Sequence, residues 1–243
     1  MWAKNTIIFL SAMIALEGAS NVFANTLAYK RQLASINGES RISHAKELLG
    51  SKHYLKSDIP ETAIYNSNLS KFILEYTEDS LGEKHKSKAW IITQSIIRES
   101  NRHGLDPLFL LAVLQHESKF NPDARGSAGE IGLMQLLPKT AQWISKMAKQ
   151  KWSGDESLLD PAVNIKLGAQ YLSYLRTKFG HGRLYLSAYN MGPKNVKIAL
   201  AKNIWPIDYS SAVMANYLNF YADFKDVLKN PKHAHGIKQV AAN

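Results

Sequence analysis

An all-α fold is predicted by three features of this 243-residue chain. Two Asp-Pro pairs, Asp106-Pro107 and Asp160-Pro161, join a good N-cap to a proline suited to the first helical position, where its missing N–H costs nothing. Nearly every apolar run that follows such a signal has helical spacing. Glycines stand where the runs stop, at Gly50, Gly104, Gly180 and Gly192. The exception is Ala124 to Gln135, where Gly126, Gly129 and Gly132 predict a glycine-rich turn or short hairpin.

In chain order, Lys4 precedes the apolar stretch Thr6 to Leu16, and Val22 and Ala24 supply small residues at a cleavage site. This is the pattern of a secretory signal peptide over 1–24, with Asn25 the first mature residue. No other segment approaches the ~18 apolar residues of a membrane span, so no transmembrane anchor is expected after removal. Ser40 is expected to cap a helix ending at Leu49, and a second helix is expected over Asn68 to Leu81. A longer one runs from Lys84 to Arg102 with Trp90, Ile91, Ile92, Ile96 and Ile97 inward. Asp106-Pro107 opens the best-specified helix, which Asn121-Pro122 closes. Pro138 and Thr140 restart a helix, and Asp160 opens another that reaches Phe179. Short helices follow over Leu184 to Tyr189 and around Val196 and Ile198. Ser210 or Ser211 is expected to cap the last, with Val213, Met214, Tyr217, Leu218 and Tyr221 inward. The expected organisation is a signal peptide (1–24), an N-terminal helical accessory region (25–100), a main helical domain (101–226) and a basic flexible tail (227–243).

Composition narrows the function. With 45% hydrophobic and 21% charged residues, disorder is excluded as the main state. The absence of cysteine excludes disulfides, a thiol nucleophile, Cys-ligated zinc and iron–sulfur clusters. The net charge of +10 fits either nucleic acid or an anionic surface outside the cytoplasm. The lysines are scattered and no nucleic-acid module is present, so export favours the second, and no nucleic-acid partner is expected. The histidines lack ligand spacing, so no metal or cofactor is expected. His116 is expected to face away from its neighbour Glu117.

Leu110, Leu114 and Glu117 share one helix face by their spacing of four and three. A carboxylate at the end of an apolar face is out of place unless chemistry needs it. Apolar surroundings disfavour its charged form and raise its pKa, which suits a general acid near neutral pH.

Five fragments in order carry a resemblance. They are Gly104-Leu105-Asp106-Pro107; Gln115-His116-Glu117-Ser118 with Phe120-Asn121-Pro122; the run Gly129 to Ala141; Asn164-Ile165 with Gly168 and Tyr171-Leu172; and Ala188-Tyr189-Asn190-Met191-Gly192-Pro193 with Val196. From about Leu105 to Tyr217 the chain resembles the bacterial lytic transglycosylase family of the soluble, goose-type lysozyme-like kind. The resemblance implies an all-α, lysozyme-like helical domain with a glycan-binding cleft. It also implies cleavage of the β-1,4 bond between N-acetylmuramic acid and N-acetylglucosamine, leaving 1,6-anhydromuramic acid ends. Glu117 would act as general acid and then as base. Ser118 would orient it or back-bond to its helix. Met134 and Gln135 would line the cleft, Tyr189 and Asn190 would sit beside the scissile sugar, and Tyr217 would support Glu117. Asn164 and Gly168 read as structural.

Two departures stand out. The Glu-Thr pair that often precedes the family's C-terminal tyrosine is absent before Tyr217, and Glu130 stands where the family usually has a small residue. Glu130 supplies a second carboxylate, which gives the first alternative, a hydrolytic muramidase. The second alternative is a catalytically inactive wall-binding module. The expected partners are peptidoglycan strands and, beyond them, cell-envelope machinery; the expected location is periplasmic or secreted.

Overall fold

The structure, a computed structural model, describes residues 37–50, 63–180 and 183–229. The export segment 1–24, the turn at Pro60, and the tail from residue 230 with His233 and His235 lie outside the described residues. Nine α-helices occur among the described residues: α1 (Gly38–Leu49), α2 (Ala63–Ser80), α3 (Ala89–His103), α4 (Pro107–Ser118), α5 (Pro138–Met147), α6 (Pro161–Phe179), α7 (Leu184–Met191), α8 (Pro193–Ala201) and α9 (Asp208–Lys229). Short 3-10 turns cover Glu83–Lys88 and Asp155–Leu159. The division expected at 100/101 falls inside α3, and α9 continues through the expected tail boundary at 227 to Lys229. No described helix is long and apolar enough to cross a membrane.

The start signals act as local chemistry dictates. Asp106 Oδ1 accepts the Leu108 N–H at 2.9 Å, and Asp160 Oδ1 accepts those of Ala162 and Val163 at 2.8 and 3.0 Å. Gly104 ends α3 in the left-handed conformation. Ser40 is not the cap of α1: Asn37 is, and its side chain accepts the Ser40 N–H. Ile91 and Leu218, expected inward, are exposed. Both lie in dense apolar sequence that offers a helix more apolar residues than one face can bury.

α4 is the centre of the molecule. From Pro107 to Leu114 every residue is buried, so its apolar surface is a full circumference and not a stripe. α3 packs against α4 on one side and along α6 on the other. α9 lies against α4 and runs antiparallel to it: Tyr209, at its start, meets Glu117 at the C-terminal end of α4, and Tyr217 meets Asp106 at the N-terminal end. Leu48 of α1 and Leu69, Phe72 and Ile73 of α2 share one hydrophobic core with the later helices.

A buried polar cluster joins α1 to the start of α4. The Asp106 N–H donates to His44 Nδ1 (3.1 Å), so the His44 Nε2 proton points at the Tyr185 hydroxyl (3.0 Å). Tyr217 donates to Asp106 Oδ2 at 2.9 Å. Burial raises the Asp106 pKa, while the nearby Arg41 charge, the Leu108 N–H and the Tyr217 hydroxyl oppose the rise. Arg176 of α6 pairs with Glu47 of α1 and donates to the Gly104 carbonyl.

Asp106 thus caps one helix and satisfies groups from two others. Asp106→Ala is predicted to destabilise the fold by about 3 kcal/mol in urea denaturation, combining a lost cap with a stranded Tyr217 hydroxyl. Asp106→Asn, which keeps the cap, should cost clearly less. A loss below about 1 kcal/mol for the alanine variant would contradict this role of the cluster.

Candidate active site

The backbone fixes where α4 stops. Lys119 and Phe120 both adopt left-handed φ, at 49° and 60°. For two residues other than glycine this is strained, by about 1 kcal/mol or more each. Phe120 is fully buried against Tyr76, with ring centroids 5.6 Å apart, and Lys84 and His85 hold Asp123 just beyond. The surrounding structure thus ends the helix one residue after Glu117. That leaves Glu117 half-buried in the final turn, at the negative end of the helix dipole, which disfavours a carboxylate.

The Glu117 pKa is pushed up to about 7. Burial is the main cause; a hydrogen bond from Tyr209 opposes it and the charge of Glu130 adds to it. The Tyr209 hydroxyl donates to Glu117 Oε1. Burial and the Glu117 charge push the Tyr209 pKa well up, so the hydroxyl stays a donor. His116 packs edge-on against Tyr209, with ring centroids 4.9 Å apart, so it does not face away from the site as expected.

The glycine-rich segment forms two successive tight turns beside this carboxyl, joined by antiparallel bridges from Ile131 to Arg125 and to Leu136. Asn164 of α6 locks it from below. Its Oδ1 accepts the Met134 N–H at 2.7 Å, and its Nδ2 donates to the Ile131 and Leu158 carbonyls, each at 2.9 Å. Gly132 has φ 82°, and a Cβ there would collide with the Asn164 amide and the Leu158 carbonyl. Gly168 plays the complementary part on α6, where a Cβ would strike the Met134 side chain. Asn164 and Gly168 are therefore the base on which the loop rests.

Several expected residues do different work. Met134 does not line the cleft; it is fully buried over Gly168, and its carbonyl accepts the Tyr189 hydroxyl at 2.7 Å. Gln135 is turned into its own loop, donating to the Gly132 and Ala124 carbonyls at 2.8 and 3.2 Å. Ser118 back-bonds to the Leu114 carbonyl at 3.3 Å and makes no bond to Glu117. Tyr189 is buried with its ring close enough for the Glu117 charge to raise its pKa, while Asn190 next to it is exposed. Tyr217 does not support Glu117: it serves Asp106 at the other end of α4. Tyr209, which the sequence reading missed, takes that place. The two tyrosines lie eight residues apart, about 12 Å along α9. Helical spacing alone gives no sign of which one crosses the end of α4.

Glu130 Oε2 accepts the Ala128 N–H at 3.1 Å, so its carboxylate is tied to the turn. It still lies close enough to raise the Glu117 pKa. The assembly offers an acid that holds its proton near neutrality, a hydroxyl aimed at it, and a rigid loop alongside.

Two neighbours therefore tune Glu117 in opposite directions. Its carboxyl should titrate at about 7 by carbon NMR. Tyr209→Phe should move the midpoint up, and Glu130→Gln should move it down. An unchanged midpoint in both variants would contradict this electrostatic picture. Raised above the ordinary value of 4.5, Glu117 contributes stability that is fully present below pH 4.5 and lost as pH rises through about 7. The loss is about 3 kcal/mol, and Glu117→Gln should abolish that part of the pH dependence.

Residues 94–210, a little under half of the chain, match the family described as Transglycosylase SLT domain. The soluble lytic murein transglycosylase of Escherichia coli K12 is 38% identical over 102 residues, 41% of this chain and 16% of that protein. The membrane-bound lytic murein transglycosylase C of Mannheimia succiniciproducens is 38% identical over 109 residues, 40% of this chain and 30% of the relative. The matched stretch is thus less than a third of either relative. Among solved structures, an inactive mutant of lytic transglycosylase Slt from Pseudomonas aeruginosa superposes with a TM-score of 0.49 at 24% identity, over 85% of this chain and 38% of that one. The match begins inside α3 and ends just past Tyr209, so it contains Glu117, the loop and the hydroxyl that meets the acid. This part of the chain is similar to the transglycosylase SLT domain family.

Proposed function

We propose that this protein is a peptidoglycan lytic transglycosylase that cuts the β-1,4 bond between N-acetylmuramic acid and N-acetylglucosamine, with Glu117 as its acid and base. The observation that carries this reading is the Glu117 carboxyl, pushed up to about 7 by burial. In the first step the Glu117 proton passes to the glycosidic oxygen. The bond from the muramic acid C1 to that oxygen breaks, and N-acetylglucosamine leaves with a new hydroxyl. In the second step the Glu117 carboxylate takes the proton of the muramic acid C6 hydroxyl, and O6 bonds to C1. The product is a 1,6-anhydro ring; no water is consumed and Glu117 regains its proton. An attacker within the same sugar gains from proximity, so one carboxylate suffices. Tyr209 fits both steps, since its hydroxyl can bond either protonation state of Glu117.

The relatives, which are lytic murein transglycosylases, support the reading. We also propose that residues 1–24 direct export, to the periplasm or beyond, where peptidoglycan is found.

A hydrolytic second reading draws on one observation, the influence of Glu130 on Glu117. It is the weaker, because the Glu130 carboxylate already accepts a backbone N–H of its own turn.

Digestion of purified peptidoglycan followed by mass spectrometry separates the readings. Products one water lighter than hydrolytic ones are expected, falling about a thousandfold in rate with Glu117→Gln. Reducing-end products that disappear in Glu130→Ala would overturn the transglycosylase reading in favour of a muramidase.

A further inference from the structure

The segment linking α8 to α9 is built unlike an ordinary loop. α8 closes in a Schellman arrangement: the Asn203 N–H donates to the Leu200 carbonyl (3.0 Å), the Ile204 N–H donates to the Ala199 carbonyl (2.9 Å), and Asn203 is left-handed at φ 56°. The Pro206 carbonyl accepts the Ser187 hydroxyl of α7, and the Ile207 carbonyl accepts the Ser211 N–H at 2.8 Å. The backbone is thus anchored at its start, middle and end. Its apolar side chains nonetheless point to solvent: Trp205 is 65% exposed, Ile204 57% and Ile207 52%. A fixed backbone presenting a large aromatic to water calls for an occupant.

We propose that Trp205 is a sugar-stacking subsite for the glycan strand beyond the bond that is cut; this rests on the glycan-cleaving reading above. Position argues for it. Trp205 precedes Tyr209 by four residues, a chain length of at most about 14 Å, and Tyr209 bonds the acid. The indole therefore lies within a few sugar rings of Glu117, on a segment continuous with the candidate site. Chemistry argues for it as well. A pyranose ring has an apolar C–H face and a hydroxyl rim. An indole is a flat apolar surface with one polar N–H, and here exposed Lys202, Asn203 and Asp208 flank it and can meet a polar rim. The anchored backbone removes the ordering cost that a mobile loop would impose on binding.

The test uses the full chain carrying Glu117→Gln, so that the probe is not cut. Calorimetry compares this protein with one that also carries Trp205→Ala, using alternating N-acetylglucosamine–N-acetylmuramic acid octasaccharide as the probe. The octasaccharide is expected to bind about tenfold more weakly without the indole, and Trp205→Tyr should restore most of the loss. The site is exposed, so thermal unfolding should be unchanged by either substitution. Equal octasaccharide affinity with and without Trp205 overturns the inference and leaves the proposed function standing. The inference is equally overturned if the indole proves necessary for phosphatidylglycerol vesicles or for self-association, and not for glycan. If neither protein binds the octasaccharide at all, the function reading is overturned along with it.

Discussion

A carboxyl group at the end of a helix buried on every side is subject to opposing forces. The low-polarity surroundings and the helix dipole favour its neutral form, and a hydrogen bond from Tyr209 favours the ionised one. In Glu117 these balance close to neutral pH. The rest of the molecule can be understood as the support this balance requires. α4 must be apolar around its whole circumference, so that Glu117 emerges from a dry interior. It must also stop abruptly, so that Glu117 sits partly exposed in the final turn instead of continuing into the core.

α9 meets both ends of that helix. Because it runs antiparallel to α4, one helix brings Tyr209 to Glu117 and Tyr217 to Asp106. The first contact tunes an acid; the second completes a buried cap. A shift of α9 along α4 would disturb both, which couples the electrostatics of the site to the stability of the fold. The loop is held by the same economy. Asn164 bonds three backbone groups around it, and Tyr189 bonds a fourth, so the glycine-rich turns have little freedom although they contain no extended strand.

Local chemistry was legible in the sequence and tertiary pairing was not. Asp106-Pro107, Asp160-Pro161 and Gly104 act through bonds within their own turns, so each helix edge could be placed from a few residues. Glu117 was legible because a carboxylate at the end of an apolar run is conspicuous without any partner. Tyr209 was not, because its role depends on how α9 crosses α4. The sequence places Met134 and Gln135 as cleft residues, yet one is buried over Gly168 and the other braces its own loop. Both outcomes follow from the left-handed turn at Gln135 and from the close approach of α6, which no short-range spacing reveals. The exposed Trp205 was likewise invisible, since an apolar Ile-Trp-Pro-Ile segment reads as core until its backbone is seen to be anchored with its side chains outward.

Catalysis would depend on Glu117 acting as an acid that keeps its proton up to about pH 7 because of where it is buried. The most direct measurement is the pH dependence of kcat/KM on purified glycan strands, for the unmodified protein and for Tyr209→Phe. A falling limb centred at about 7 is predicted for the first, displaced to higher pH in the second, because removing the hydroxyl removes the interaction that favours the carboxylate. Activity that stays flat through neutral pH, or a limb that Tyr209→Phe leaves in place, would contradict it.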